Sequence, residues 1–297
     1  MARNVPPVVS IASISYIILT AMLENVPDRK FDCVCIFEQF IAPKEELYTH
    51  PDSICPENAL QMAVNAAHRR SEGYPLQYIL GEWEFYGLSF KVGEGVLIPR
   101  PETEFVVDEA IRLIDEIYRD RKLIVADLCA GTGCIAISIA GNRRDKVKTF
   151  AVEYSGDAFP YLVDNIGRHS ADVTMIRGDV SNGRLLDNFV DDDGEETGID
   201  LIVSNPPYLT DEEMNDLQKE ITFEPDTALY GGSDGLKFYR VISALWGSIL
   251  NKGGAIVFEA CDNLASEMVK ILEASGFEDI NTVMSCGHVR ALSARKK

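Results

Sequence analysis

The sequence predicts an α/β fold: a mostly parallel sheet covered by helices on both faces, preceded by a small helical domain. Three observations carry that prediction. Past residue 101, short apolar strands alternate with helical stretches, the order that lays helices over both faces of a parallel sheet. Residues 8–72 instead show only three- and four-residue apolar spacing. Between a buried strand and a helix lies a glycine-bearing turn, Leu128 to Gly133, of the kind that binds ligands in open α/β sheets.

Length and composition set the bounds. The chain has 297 residues, room for one large and one smaller domain at roughly 100–200 residues each. A hydrophobic fraction of 46% and a charged fraction of 25% are ordinary globular values. Charge is more informative: 28 Lys and Arg against 47 Asp and Glu leave a formal net charge of −19. That field repels a nucleic-acid polyanion and steers a basic partner inward, although acidity also serves solubility alone. The seven cysteines, Cys33, Cys35, Cys55, Cys129, Cys134, Cys261 and Cys286, contain no CxxC pair. No zinc or dithiol site is therefore signalled, and isolated buried thiols in a reducing compartment are expected.

The elements follow in order. The segment from Val5 to Leu23 is apolar, but Pro6, Pro7, Ser10, Ser13, Ser15 and Thr20 interrupt it and Arg3 is its one basic flank. It reads as a buried N-terminal helix rather than a signal peptide or membrane span. Ile11–Leu23, Phe31–Phe40 and Pro56–Arg70 are the helical stretches of the first domain, punctuated by Pro51, Asp52, Ser53 and Pro56. Between Gly73 and Pro101, Tyr78–Leu80, Trp83–Tyr86 and Ser89–Val92 are aromatic and β-rich, which predicts a short linking hairpin. Glu102–Arg119 reads as an amphipathic helix with Phe105, Val106, Ala110, Ile111, Ile114 and Ile117 on its apolar face. Strands are expected at Leu123–Asp127, Lys148–Glu153, Val173–Arg177, Leu201–Ser204 and Ala255–Glu259. Asp279–Ser285 and His288–Leu292 flank Cys286-Gly287, a hairpin that makes the last strand antiparallel. Asp191 to Glu196 is an acidic loop, read as solvated. The resulting boundaries are 1–73 for the helical domain, 74–100 for the hairpin linker and 101–297 for the α/β domain.

Two motifs carry chemistry. The turn Leu128-Cys129-Ala130-Gly131-Thr132-Gly133 needs glycine so that the backbone bends tightly and approaches a ligand, and the helix behind it offers free N–H groups. Glu153, 20 residues past Gly133, ends the next strand, where a carboxylate accepts from both hydroxyls of a ribose. An adenosine-type ligand follows, without separating a nicotinamide cofactor from S-adenosylmethionine. Asp127, placed to hold a methionine ammonium through water or backbone, and the terminal antiparallel hairpin favour the methyl donor. Asp179 is expected to accept from the adenine amine and Val180 to pack on the ring.

The second motif is Asn205-Pro206-Pro207-Tyr208, at the carboxyl end of a central strand. An amide or aromatic amine is a poor nucleophile because its lone pair is delocalised. The Asn205 side-chain oxygen and the Pro206 carbonyl are two fixed acceptors for its N–H bonds, with proline rigidity aiming the carbonyl. Tyr208 supplies an aromatic face for the planar group and the incoming methyl. Methyl transfer is then an in-line displacement driven by positioning and electrostatics, with no general base required.

These residues, together with Pro75 to Gly81, Gly95 to Glu104 and Glu224-Pro225 through Ala228 to Leu236, give the chain its resemblance to the HemK/PrmC family. Members of that family are protein-(glutamine-N5) methyltransferases that modify peptide chain release factors. The resemblance implies a Rossmann-like seven-stranded S-adenosylmethionine-dependent methyltransferase sheet with a small N-terminal helical domain. It implies donor contacts at Cys129, Ala130, Gly131, Thr132, Gly133, Glu153, Val180 and Asn205, and a glutamine held at Asn205, Pro206, Pro207 and Tyr208. The substrate implied is the glutamine of the release factor's Gly-Gly-Gln motif, with the helical domain helping to dock it. A cytoplasmic monomer with no metal, no membrane and no direct nucleic-acid partner is expected. The chain departs from the family at Cys129, where glycine is usual, at Ala130 (threonine), at Val180 (often aromatic) and at Ala260-Cys261-Asp262-Asn263 (glycine, then glutamine). Two alternatives share the tetrad: an N6-adenine methyltransferase of DNA or RNA, which must also unstack a base, and a glutamine methyltransferase acting on another protein.

Overall fold

A computed structural model describes residues 11–50, 56–118, 120–189 and 198–297. The acidic stretch 191–196, Cys55, Arg119 and the apolar residues before Ile11 lie outside the described residues. The chain divides into two units, the first Met1–Gly81 with Gln218–Phe223, the second Glu82–Leu217 with Glu224–Lys297.

The first unit comprises α1 (Ile11–Met22), α2 (Arg29–Phe40), α3 (Glu46–Thr49), α4 (Glu57–Ser71) and α5 (Leu76–Leu80). Ala63, Ala66 and Ala67 give α4 a low face, so that α1 and α2 pack closely on it with Leu19, Leu23, Ile36 and Phe37 fully buried. Arg70 crosses this core. Its Nε donates to Asp32 Oδ2 at 2.5 Å, and its Nη1 pairs with Glu220 Oε1 at 2.7 Å, which anchors the 218–223 segment to this unit. Tyr78–Leu80, expected as β-rich, is instead the end of α5. Pro75 precedes the helix and Gly81 closes it at φ 77, so the local turn chemistry overrides the β-branched and aromatic content.

The second unit begins with the hairpin β1 (Glu82–Phe85) and β2 (Leu88–Lys91), paired antiparallel. The expected linker at 74–100 is thus divided at Gly81, and the hairpin belongs to the second unit. There follow α6 (Glu104–Ile117), β3 (Leu123–Leu128), α7 (Cys134–Asn142), β4 (Val147–Glu153), α8 (Phe159–His169), β5 (Val173–Arg177), β6 (Ile199–Ser204), α9 (Asp211–Asn215), α10 (Asp226–Leu229), α11 (Lys237–Leu245), β7 (Leu250–Glu259), α12 (Ala265–Ala274), β8 (Phe277–Ser285) and β9 (His288–Lys296). The buried stripe of α6 is rotated from the expected one. Val106, Val107, Ala110, Leu113 and Ile114 are buried, whereas Phe105, Ile111 and Ile117 are only half-buried.

Seven strands form one sheet in the order β5-β4-β3-β6-β7-β9-β8. The first five are parallel, and β9 pairs antiparallel with both β7 and β8, as the Cys286-Gly287 hairpin predicts. Residues 286 and 287 both have positive φ, 50 and 85, the geometry of a two-residue turn that matches strand twist. Alternate side chains feed two cores. Val125, Leu201, Val203 and Val257 meet α6 and α7 on one face; Ala126, Ile202, Ile256 and Phe258 meet α11 and α12 on the other. Strand order reverses between β3 and β6, so their carboxyl ends open the crevice where such sheets bind ligands.

Candidate active site

That crevice is a cleft of about 370 Å³, within the range of small-molecule sites. It lies wholly within the second unit. The loop after β3 forms its floor. Ala130 N donates to Val152 O at 3.0 Å and Gly133 N to Ala130 O at 2.8 Å, which pulls the loop against β4. Gly131 adopts φ 56, and a Cβ built there meets only Val96 Cγ2, at 4.0 Å. Glycine at this position leaves the space over the loop backbone open to a ligand.

Glu153 ends β4 beside this loop and is 7% exposed. Its Oε2 accepts from Gly131 N at 2.8 Å and its Oε1 from Ser155 N at 2.6 Å. Burial raises its pKa, and the backbone donors oppose that rise. A carboxylate has about four acceptor sites, so capacity remains beyond these backbone donors, and a carboxylate without a cationic partner among the described residues stands on the cleft wall, suited to a diol. Asp179 and Val180 line the same cleft. Asp179 Oδ1 accepts from Ser181 N and Oγ at 2.8 and 2.6 Å, which lowers its pKa. The Val180 carbonyl accepts from Trp246 Nε1 at 2.8 Å, fixing its backbone.

Of the predicted donor-loop residues, Cys129, Ala130, Gly131 and Thr132 line the cleft. Asp127 and Gly133 do not. Gly133 caps α7 at φ 81. Asp127 lies beneath the loop, fully buried, with Oδ2 accepting from Ala136 N at 3.0 Å and Oδ1 without a partner among the described residues. Burial pushes its pKa up to about 8. It buttresses the start of α7 rather than facing the cleft.

The tetrad follows β6. Asn205 and Pro207 line the cleft; Pro206 is buried, and Tyr208 is half-buried against the second core. Burial, and then the nearby Glu259 carboxylate, raise the Tyr208 pKa, so the ring acts as a neutral aromatic surface. The 226–236 region buttresses the tetrad: Leu209 N donates to Leu229 O and Gly231 N to Leu209 O, each at 2.8 Å. A Cβ on Gly231 would lie 2.5 Å from Tyr208 Cα and 2.6 Å from the Pro207 carbonyl oxygen, so only glycine permits this approach.

Several cleft residues were not singled out as site residues from sequence: Arg100, Thr103, Pro225, Thr227, Lys237 and Phe238. Arg100, Thr103, Pro225 and Thr227 fall within the spans of the family-specific stretches, but spacing alone assigns them no chemistry; Lys237 and Phe238 lie just past those stretches and carry no such signal. Glu224, 5% exposed, ties two of these walls together, accepting from Ile98 N at 3.0 Å through Oε2 and pairing with Arg100 through Oε1. Thr103 connects Asn205 to Glu259: Asn205 Nδ2 donates to Thr103 Oγ1 at 3.2 Å, and Thr103 Oγ1 donates to Glu259 Oε2 at 2.5 Å.

The thiols differ from the expectation that they are all buried. Cys33 and Cys134 are; Cys35, Cys129 and Cys261 are half-buried, and Cys286 is exposed in its turn. None is in a disulfide among the described residues. Among those residues no helix is long and apolar enough to cross a membrane, and no group of three His, Cys, Asp or Glu is placed to hold a metal.

Comparison with known proteins adds an independent line. Residues 106–232 match the family described as "Methyltransferase small domain", and residues 22–81 match "PrmC N-terminal domain". The release factor glutamine methyltransferase of Clostridium acetobutylicum is 36% identical over 250 residues, covering 83% of this chain and 84% of that protein. That of Fusobacterium nucleatum is 34% identical over 277 residues, covering 92% and 75%. Among solved structures, the hMettl16 catalytic domain in complex with a MAT2A 3'UTR hairpin superposes with a TM-score of 0.52 at 14% identity, covering 93% of this chain and 91% of that one. At that identity the likeness is one of fold.

Proposed function

Because the chain belongs to the release factor glutamine methyltransferase family, we propose that it transfers a methyl group from S-adenosylmethionine to the side-chain amide nitrogen of the glutamine in the Gly-Gly-Gln motif of peptide chain release factors. The single observation carrying this reading is the place of Asn205. It follows β6 on the wall of the cleft floored by the Cys129–Thr132 loop, at the point where strand order reverses.

The chain is an S-adenosylmethionine-dependent protein-glutamine methyltransferase. When bound, the donor's sulfonium supplies an activated methyl and a neutral leaving group. The residues present suit that molecule: the open loop at Gly131 admits it closely, and the cation-free Glu153 carboxylate offers acceptors to a ribose. Asp179 is assigned to the adenine amine and Val180 to the ring face. Asp127 is assigned an indirect role, holding the loop through Ala136.

At the acceptor side, the Asn205 oxygen and the Pro206 carbonyl take the two N–H bonds of the glutamine amide. They orient its nitrogen along the attack line and stabilise positive charge as it develops there. Tyr208 presents an aromatic face to the amide. The proton leaves after transfer, so no dedicated base is assigned. The net charge of −19 favours a basic protein partner over a phosphate backbone. The helical unit is assigned to docking that partner, and the enzyme to action as a cytoplasmic monomer without a metal.

Mass spectrometry of a purified release factor incubated with the protein and S-adenosylmethionine tests this. One methyl is expected on the Gly-Gly-Gln glutamine, with the rate reduced about 10²–10³-fold by Asn205→Ala, the scale of one lost transition-state contact. No methyl on the release factor, with donor binding intact, overturns the substrate assignment. Near-normal activity of Asn205→Ala overturns the mechanism.

A further inference from the structure

We propose that Thr103 and Glu259 are positioning residues that hold the Asn205 amide in one of its two orientations, nitrogen toward Thr103 and oxygen toward the substrate. The inference rests on the reading of Asn205 as the acceptor for the glutamine amide and deepens it. An asparagine amide is nearly symmetric in shape, so packing alone does not choose which end faces the cleft; its hydrogen bonds do. Inversion would aim Nδ2, a donor, at the N–H bonds of the substrate and abolish the attraction that orients it.

Thr103 decides the matter because a hydroxyl has a single hydrogen. Thr103 Oγ1 donates it to Glu259 Oε2 at 2.5 Å, leaving only lone pairs toward Asn205, whose Nδ2 approaches at 3.2 Å. Thr103 is 2% exposed and Glu259 5%, so water does not compete for either bond. The acceptor is fixed in turn. Glu259 ends β7 in register with Ala291 of β9, and its backbone carbonyl accepts from the Tyr239 hydroxyl at 3.1 Å. Glu259 therefore selects the Thr103 hydrogen, and Thr103 selects the Asn205 face.

The device works only while Glu259 is ionised. A protonated Glu259 donates to Thr103, freeing the Thr103 hydrogen for Asn205 Oδ1 and inverting the amide. Burial pushes the Glu259 carboxyl up to about 7; the Thr103 bond opposes this, Glu102 adds to it, and Arg100 and Arg290 counter it. The other titratable groups facing Glu259 are Tyr208, Tyr239, Cys134 and Cys261. Burial raises the pKa of each, which keeps them neutral across this range.

Two readouts test this, one of them independent of substrate. In protein labelled with 15N in asparagine side chains, the Asn205 amide resonance is identified by its loss in Asn205→Asp. In the wild type it is expected to titrate with an inflection near pH 7, absent in Glu259→Gln. Thr103→Val is expected to move the resonance and to lower kcat about tenfold or more, the worth of one net hydrogen bond. Thr103→Ser, which keeps the hydroxyl, should restore both readouts. An unmoved resonance and unchanged kcat in Thr103→Val overturn the proposal, as does an inflection that survives in Glu259→Gln. A wild-type enzyme that fails to methylate any release factor sinks the substrate reading alone, and the amide titration still decides this one.

Discussion

The two ends of the sheet treat buried carboxylates in opposite ways. At the amino end, Asp200 on β6 accepts from Arg121 through both oxygens at 2.7 and 2.6 Å, from Ile124 N at 2.8 Å and from Asn251 Nδ2 at 2.8 Å. Burial works against it, yet the Arg121 bonds and then the other donors hold its pKa below the ordinary value. At the carboxyl end, Asp127, Glu153 and Glu259 are as deeply buried, but backbone N–H groups and one hydroxyl are the donors that reach them. Burial raises the pKa of all three. One end is satisfied within the fold; at the other, where the proposed site lies, buried carboxylates have no cationic partner among the described residues. That asymmetry gives the proposed functional end a physical signature.

The largest effect separating the two ends is on the pH dependence of stability. For Asp127, burial moves the folded pKa from 3.8 to about 8. The folded state therefore keeps a proton that the unfolded state releases across that window, so Asp127 erodes stability as pH rises through it. Glu259 does the same from 4.5 to about 7. Asp200 has the opposite sign: its stabilisation is present above its unfolded pKa and lost as pH falls through the lowered folded value. Asp127→Asn keeps an acceptor for Ala136 N without the charge. Its melting temperature should exceed that of the wild type by a margin that grows from pH 5 to pH 8.5. A margin independent of pH would place the wild-type proton elsewhere.

Asp200→Ala should fall on stability instead. It strips partners from Ile124 N and Asn251 and removes a bidentate pair, but Arg121 is 60% exposed and rehydrates. That limits the loss to about 3 kcal/mol, the scale of charge-assisted bonds to a buried acceptor. Urea unfolding with an unchanged m-value measures it, and donor affinity should hold within about twofold because Asp200 sits at the far end of the sheet. A variant that unfolds normally but loses donor affinity would erase the distinction between the ends. Glu153→Ala sharpens it from the other side: donor binding by calorimetry should weaken by about 2–3 kcal/mol, on the scale of charge-assisted bonds to a diol. Unchanged affinity would show that the ribose is held elsewhere.

How much of this could be read from the chain follows the same division. The buried strands, the glycine turn, Glu153 and Asn205 are local signals, each a run of residue types with a required conformation. They placed the parallel sheet and the tetrad at its carboxyl end, and the Cys286-Gly287 turn placed the antiparallel strand. Long-range partnerships were not legible. Asn205 and Glu259 lie 102 and 156 residues from Thr103, and nothing local distinguishes Glu259 from any acid ending a strand. Asp127 shows the converse: it is beside the loop in sequence, but its side chain bonds the start of α7 and does not line the cleft, because successive strand residues point to opposite faces. Tyr78–Leu80 has strand-forming residues but lies between a proline and a left-handed glycine that close a helical turn.

The smallest expected effect lies inside the functional end, at Cys129. The residue holds φ 65, a conformation that costs a side chain with a Cβ about 1–2 kcal/mol and glycine almost nothing. Against that, its thiol is half-buried and packs on the second core, and glycine adds freedom to the unfolded chain. A half-buried thiol contributes less than a fully buried side chain, so the backbone contribution should win narrowly. Cys129→Gly is then expected to raise stability by about 1 kcal/mol or less in urea unfolding. Because Cys129 also lines the cleft, removing its side chain widens the proposed donor site and should shift donor Kd about threefold or less, the scale of one small side-chain contact. A fall in stability would mean that the thiol's packing outweighs the strain, and the loop at the functional end would then be held by its side chains as Asp200 is held at the other.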